Sequence, residues 1–216
     1  MRFLLLVLAM VFAPVMATGQ AMAQPWKPAH GEKLAFDVLR DGGALGTHVV
    51  SFARDGDTLT VKTAVELKVA FGPLTLFDYA HDVTEKYLRD KLTWVGSRTK
   101  KDGKWKTLSA EAVEGGIDVK GAKFKGLLKG MVIPSTHWNA DEMKQAAMFS
   151  TETGEMLPMK VVDRGIEKIK AAGTTIDARR FDVTSELVAS FWYDANGRWV
   201  KCAFTAEGSK IEYVLR

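Results

Sequence analysis

The side chains best suited to chemistry are few and scattered: His48, His81, Glu85, Ser135, His137 and Cys202. Ser135 and His137 stand in the run Pro134-Ser135-Thr136-His137-Trp138-Asn139, and a serine near a histidine brings hydrolysis to mind. Nucleophilic catalysis needs more than those two residue types. It needs a strained elbow that exposes the hydroxyl and donors for the oxyanion, and no G-x-S-x-G surrounds Ser135. The plainer reading has Asn139 capping a helix, Trp138 stapling it to Met143, and His137 in the preceding loop. An enzyme acting through His137 or His81 therefore ranks third among the functions considered.

Cys202 is the sole cysteine. Its alternation places it between Val200 and Phe204, facing Phe191 and Tyr213, as a small inert hydrophobe in a core wall. One cysteine closes no internal disulfide. No HExxH and no Cys/His cluster occurs, so neither a metal nor another cofactor is expected.

His48 shares a face with Val50 and Phe52, and His81 lies between Tyr79 and Val83. Alternation turns both histidines inward, and Glu85 with them. A turn centred on Pro73 sets His81 opposite Val65, which is expected to face Gly46 and so leave room for the imidazole. His48 then lies roughly 12 Å from His81 by strand spacing and rise, too far to share a metal ion. A satisfied structural histidine is the ordinary role for each. The functional role is to line a cavity, and the residues expected to contact a ligand are His48, Val65, Leu67, Tyr79, His81, Val83 and Glu85.

The elements that must position these residues are strands. From Leu59 to Val69 apolar and polar residues alternate, the mark of a strand with one face buried and one wet. Asp55-Gly56 reads as a two-residue hairpin loop that pairs Phe52 with Leu59, Val50 with Val61 and His48 with Thr63. Asn196-Gly197 pairs Tyr193 with Val200 and Phe191 with Cys202. Glu207-Gly208 pairs Phe204 with Ile211, Cys202 with Tyr213 and Val200 with Leu215. Asp102-Gly103 and Gly115-Gly116 suggest two further hairpins between Leu92 and Lys120, with Trp94, Trp105, Arg98 and Glu111 on mixed faces. One short helix is predicted over 140–149. The fold class is mainly β: a single curved antiparallel sheet of about ten strands, a half-barrel or open barrel with meander topology, and one short helix.

The chain has 216 residues, 47% hydrophobic and 26% charged, which excludes disordered, collagenous and disulfide-framework classes. A net charge of +4 makes no case for nucleic acid, and the scattered tryptophans come with no RNA-binding motif. Met1-Arg2, the apolar run to Phe12 and Ala21-Met22-Ala23 have the three-part form of a secretory signal peptide cut after Ala23. The apolar run is too short for a stable membrane span, which needs about 20 residues. The expected organisation is a leader over 1–23 and a single β domain over 24–216, exported to the periplasm. Lys120, Lys123, Lys125 and Lys129 interleave with apolar residues as far as Ile133. That stretch is either a hairpin with one solvated face or an amphipathic contact with anionic lipid.

Leu34-Ala35-Phe36-Asp37-Val38 with Gly46 and His48, the Pro134-to-Asn139 run, and Phe191-Trp192-Tyr193-Asp194 with Gly197-Arg198-Trp199-Val200-Lys201 together resemble a known family. It is a domain-of-unknown-function family of exported Gram-negative proteins, similar to a larger set of uncharacterised periplasmic β proteins. The resemblance spans most of 32–215. It implies an open, curved sheet similar to the half-barrels of lipoprotein carriers and brings no catalytic residues with it. The function expected first is a non-catalytic periplasmic binding protein holding a lipid or other apolar small molecule in a concave sheet. An envelope assembly or scaffold factor with protein partners is second.

Overall fold

A computed structural model describes residues 26–71 and 74–216. The leader over 1–23, its cleavage point and the turn residues Gly72-Pro73 lie outside the described residues. Alternation and tight turns give fifteen strands: β1 (Lys33–Arg40), β2 (Gly43–Asp55), β3 (Thr58–Phe71), β4 (Leu74–Leu88), β5 (Lys91–Lys101), β6 (Lys104–Val113), β7 (Gly116–Lys120), β8 (Lys125–Lys129), β9 (Ala147–Phe149), β10 (Met156–Pro158), β11 (Lys160–Ala171), β12 (Thr174–Thr184), β13 (Val188–Asp194), β14 (Trp199–Ala206) and β15 (Ser209–Leu215). Thirteen form one sheet in the order β11-β12-β13-β14-β15-β1-β2-β3-β4-β5-β6-β7-β8, and β9 pairs with β10 separately. Every neighbour in the large sheet is the next strand in sequence except one pair, β1 with β15. The meander is thus two runs joined through their first and last strands.

The sheet is open, with β11 and β8 as its free edges, and it is strongly curved. Curvature follows from the core. Val61 on β3, Tyr87 on β4, Phe181 on β12 and Phe191 on β13 share one buried cluster although many strands separate them. A flat sheet would hold such residues tens of ångströms apart at about 4.8 Å per strand. A second cluster joins Val83, Val95, Leu108, Ala110, Ile117 and Val119 to Val132 and Phe149. The last two belong to the long connection between β8 and β11, which crosses the inward face of β4 to β7 as a strap. Among the described residues no helix is long and apolar enough to cross a membrane.

Several registers differ from expectation, each for a local reason. Asp55 pairs with Thr58, so the β2–β3 loop is Gly56-Asp57, with Gly56 in the left-handed region at φ 53°. This moves every partner by two: Phe52 faces Val61, Val50 faces Thr63, and His48 faces Val65. An even shift keeps each side chain on its face. Gly46 consequently faces Leu67, not Val65, and it makes no room for His81. A Cβ there would meet the Glu66 carbonyl oxygen at 1.9 Å, so the glycine serves close approach of two backbones. At the β13–β14 turn Asp194 N–H donates to the Arg198 carbonyl, and the Asp194 carboxylate accepts from the Asn196 and Arg198 N–H groups. The loop therefore holds three residues, ending on Gly197 at φ 79°, and a bulge re-pairs Tyr193 with Trp199 rather than Val200.

The helix expected over 140–149 is a single 3-10 turn, Ala140–Lys144. Asn139 caps it, its side chain accepting from Asp141 N–H. Beyond it the strap backbone finds partners elsewhere: Phe149 N–H donates to Ile133 O, and Met159 N–H to Ala146 O. Pairing across the strap takes the hydrogen bonds that a longer helix would need. The strand count exceeds ten because β9 and β10 are short and β11 lacks clean alternation.

Candidate functional site

The inward face of β2 to β5 carries a row of polar side chains, and the strap divides it into two environments. In the first, Glu85 is fully buried, and its carboxylate accepts from the Tyr87 hydroxyl, the Thr136 hydroxyl at 2.7 Å and the Trp138 indole N–H at 3.3 Å. Burial pushes the Glu85 carboxyl up to about 7, against those three donors. Thr136 and Trp138 come from the strap, so the carboxylate pins it to β4. His81 acts similarly: its Nδ1 lies 2.8 Å from Thr99 Oγ1, and its Nε2 lies 3.0 Å from Thr151 Oγ1 on the strap. Burial lowers its basicity.

The second environment is a cavity of about 280 Å³ beside the strap. Its sheet side is lined by His48, Thr63, Val65, Tyr79 and His81, its strap side by Ser135, Thr136, His137 and Met148, and its far wall by Phe191, Trp199, Cys202, Phe204 and Tyr213. The lining includes no lysine or arginine, and Glu186 is its one acidic residue. His48 packs among aromatic rings, 5.1 Å from Trp199 and 5.5 Å from Tyr213 between centroids. Its burial, with His137 and His81 nearby, pulls its pKa down to about 3, so the ring is neutral. A second space, an outer groove of about 540 Å³, lies further along β3, lined by Leu45, Leu67, Val69, Phe77 and Phe204, with Arg40, Lys101 and Glu207 at its edge. Phe204 belongs to both.

The seven residues expected to meet a ligand divide among these regions. His48, Val65, Tyr79 and His81 line the cavity, and Leu67 lines the groove. Val83 sits in the core beneath the strap, and Glu85 is committed to it, so neither lines the cavity or groove. His48 and His81 both flank Val65, two strand spacings or roughly 9.6 Å apart, nearer than expected. Thr63 and the wall from β13 to β15 were not among the expected contacts. Their alternation marked them as core, but no local signal shows which strands the sheet's curvature brings opposite.

His137 stands at the rim with φ 64°. Its Nδ1 lies 3.1 Å from both oxygens of the buried Glu142 carboxylate, and its carbonyl accepts from the Tyr193 hydroxyl at 2.9 Å. Its ring lies over Phe191, with centroids 4.6 Å apart. The Ser135 hydroxyl lies 3.4 Å from Thr151 Oγ1 and accepts the Thr151 N–H, so it is engaged with Thr151 and not with the His137 ring. Cys202 is buried, as its register demands, and burial raises its thiol far above the usual range. Among the described residues no three His, Cys, Asp or Glu side chains gather as they would around a metal ion.

The fold has a solved counterpart. The chain is similar to the crystal structure of a beta-barrel-like protein of domain of unknown function DUF1849 from Brucella abortus, with a TM-score of 0.60 and 14% identity. The match covers 85% of this chain and 94% of that one, and at such identity it speaks for the fold alone. No curated protein matches the sequence. The family model for a domain of unknown function, DUF6134, matches residues 36–216, and the chain belongs to that family.

Proposed function

We propose that this protein is a non-catalytic periplasmic binding protein that holds an apolar small molecule, such as a lipid or acyl chain, against its inward sheet face. The observation that carries the reading is the succession of two mostly apolar spaces along β3, a cavity and a groove that share Phe204 as a wall. Val65 lies in the first, Leu67 and Val69 in the second, and aromatic side chains flank both. Concave, mostly apolar spaces with a few polar groups are the usual small-molecule sites. The leader pattern over 1–23 supports a periplasmic address, and protein recovered from the periplasm is expected to begin at Gln24.

The test is binding of N-phenyl-1-naphthylamine, an uncharged fluorophore whose emission rises in apolar surroundings. The wild type is expected to bind it with micromolar affinity or weaker, about −8 kcal/mol at most. Val65→Asp is expected to abolish that signal while the far-ultraviolet spectrum stays that of a β protein. A folded wild type that binds no such probe overturns the reading and favours an envelope scaffold. The observation on the scaffold side is the outer face of β5 and β6, where Trp105 is 53% exposed beneath Arg98. Mass spectrometry of lipids carried through purification from the native host would identify the natural cargo.

A further inference from the structure

Two polar atoms in the cavity have no hydrogen-bond partner among the described residues: His48 Nε2 and Thr63 Oγ1. Their side chains are 5% and 3% exposed, so bulk water does not satisfy them from outside the fold. Buried polar groups are nearly always paired, because leaving one unpaired forfeits its hydration with nothing in return. Elsewhere on this face the rule is kept thoroughly, as Glu85 and His81 show. The two atoms are also neighbours by register. His48 faces Val65 across the β2–β3 pair, and Thr63 is the next inward residue along β3. Cross-strand diagonal positions of this kind lie roughly 7–8 Å apart, so a long imidazole on one side and a threonine on the other leave a gap that a single hydroxyl can bridge.

We infer that the cavity takes an uncharged amphiphile whose hydroxyl sits between His48 Nε2 and Thr63 Oγ1 and whose apolar chain follows Val65 toward Leu67. The inference rests on the apolar-ligand reading above and narrows it to a chemical class. A hydroxyl both donates and accepts, so it serves the imidazole in either tautomer and the threonine at once. A carboxylate or phosphate head is disfavoured on two grounds. The lining offers no lysine or arginine to pair with it, and Glu186 would repel it. The imidazole stays neutral there, so it brings no compensating charge to an anion taken out of water.

The test is competition against bound N-phenyl-1-naphthylamine at pH 8 with 1-decanol and with decanoate, which differ in head group and charge. Decanol is expected to displace the fluorophore with at least a ten-fold lower Kd than decanoate. His48→Phe and, as a near-isosteric second variant, Thr63→Val are each expected to shrink the ratio of the two competitors' Kd values five-fold or more, the fluorophore's own Kd being redetermined for each variant. Equal or tighter binding of decanoate overturns the inference, as does a preference that survives both substitutions. Displacement by neither compound, with the fluorophore still bound, overturns it too and leaves an apolar site of another kind. Only a folded wild type that fails to bind the fluorophore brings down the underlying reading as well.

Discussion

Glu85 and His48 are both buried polar side chains on the inward face of one sheet, yet their surroundings are opposite. Glu85 on β4 has three donors, two of them from the strap, and its site is filled. His48 on β2 has an unpartnered Nε2 and borders open space. The same sheet, built from the same alternation, is finished by its own chain in one place and left unfinished in the other. A polar group with all its partners in the chain is explained by the fold. One lacking them calls for a partner from outside.

The comparison can be tested from both sides. Trp138→Ala should give the largest effect, since it empties a buried indole's volume and removes a Glu85 donor. A loss of about 3–5 kcal/mol by urea unfolding is expected. A loss below 1 kcal/mol would mean the strap is not integral to the fold.

Next comes pH. Burial raises the Glu85 carboxyl from 4.5 to about 7 in the folded state. Its contribution is therefore full below pH 4.5 and is lost as pH rises through 7, a decline of roughly 3 kcal/mol. His48 works the other way: lowered from 6.5 to about 3, it contributes fully above pH 6.5 and loses that contribution as pH falls toward 3. Between pH 4.5 and 6.5 the two trends oppose and nearly cancel, so Glu85→Gln should uncover a rise in stability with pH from 5 to 6.5 and remove the fall from 6.5 to about 7. Unfolding curves at pH 5, 6.5 and 8 that match those of the wild type would show that Glu85 does not titrate in this window.

Gly46→Ala probes the unfilled side, where the backbones of β2 and β3 are tightly apposed. A loss of about 1–3 kcal/mol is expected from overpacking. The His81 ring should keep its NMR titration, because its contacts are to Thr99 and Thr151. The smallest and sharpest contrast is a pair of Thr→Val changes. Thr136→Val deprives a buried Glu85 oxygen of its donor and should cost about 1–3 kcal/mol. Thr63→Val removes a hydroxyl with no protein partner, so stability should stay within about 0.5 kcal/mol of wild type. Equal costs would erase the distinction between the two environments.

The sequence carried much of the fold and less of the site, for physical reasons. Alternation and tight turns are local, so the curved sheet, the Pro73-centred pairing of Val65 with His81 and the Phe204-to-Ile211 register could be read from the chain. Loop length was the weak point: one more residue in the Asn196-Gly197 loop moved Tyr193, and a shifted Gly56 loop moved His48. The expected helix failed because capping signals at Asn139 mark only a start, while distant carbonyls claimed the backbone that followed. Alternation turns Glu85 inward. Its partners Thr136 and Trp138 lie some fifty residues away, and nothing local links them. The cavity depends on β13 to β15 curling over β2 to β4, a long-range outcome that no window of sequence contains.

The pairing of β1 with β15 bears on how the molecule reaches its structure. Phe36 meets Leu215, so the contact at the middle of the sheet joins positions about 180 residues apart. Most other pairings join consecutive strands and can zip as the chain emerges from its N-terminal side. The central seam cannot, and contacts of such separation close late and slowly. Until then β1 presents an unpaired edge rich in apolar side chains, open to other chains. Deletion of the final hairpin would thus leave two sticky half-sheets rather than a slightly shorter protein. Slow, concentration-sensitive refolding is the kinetic signature that this single pairing writes into the chain.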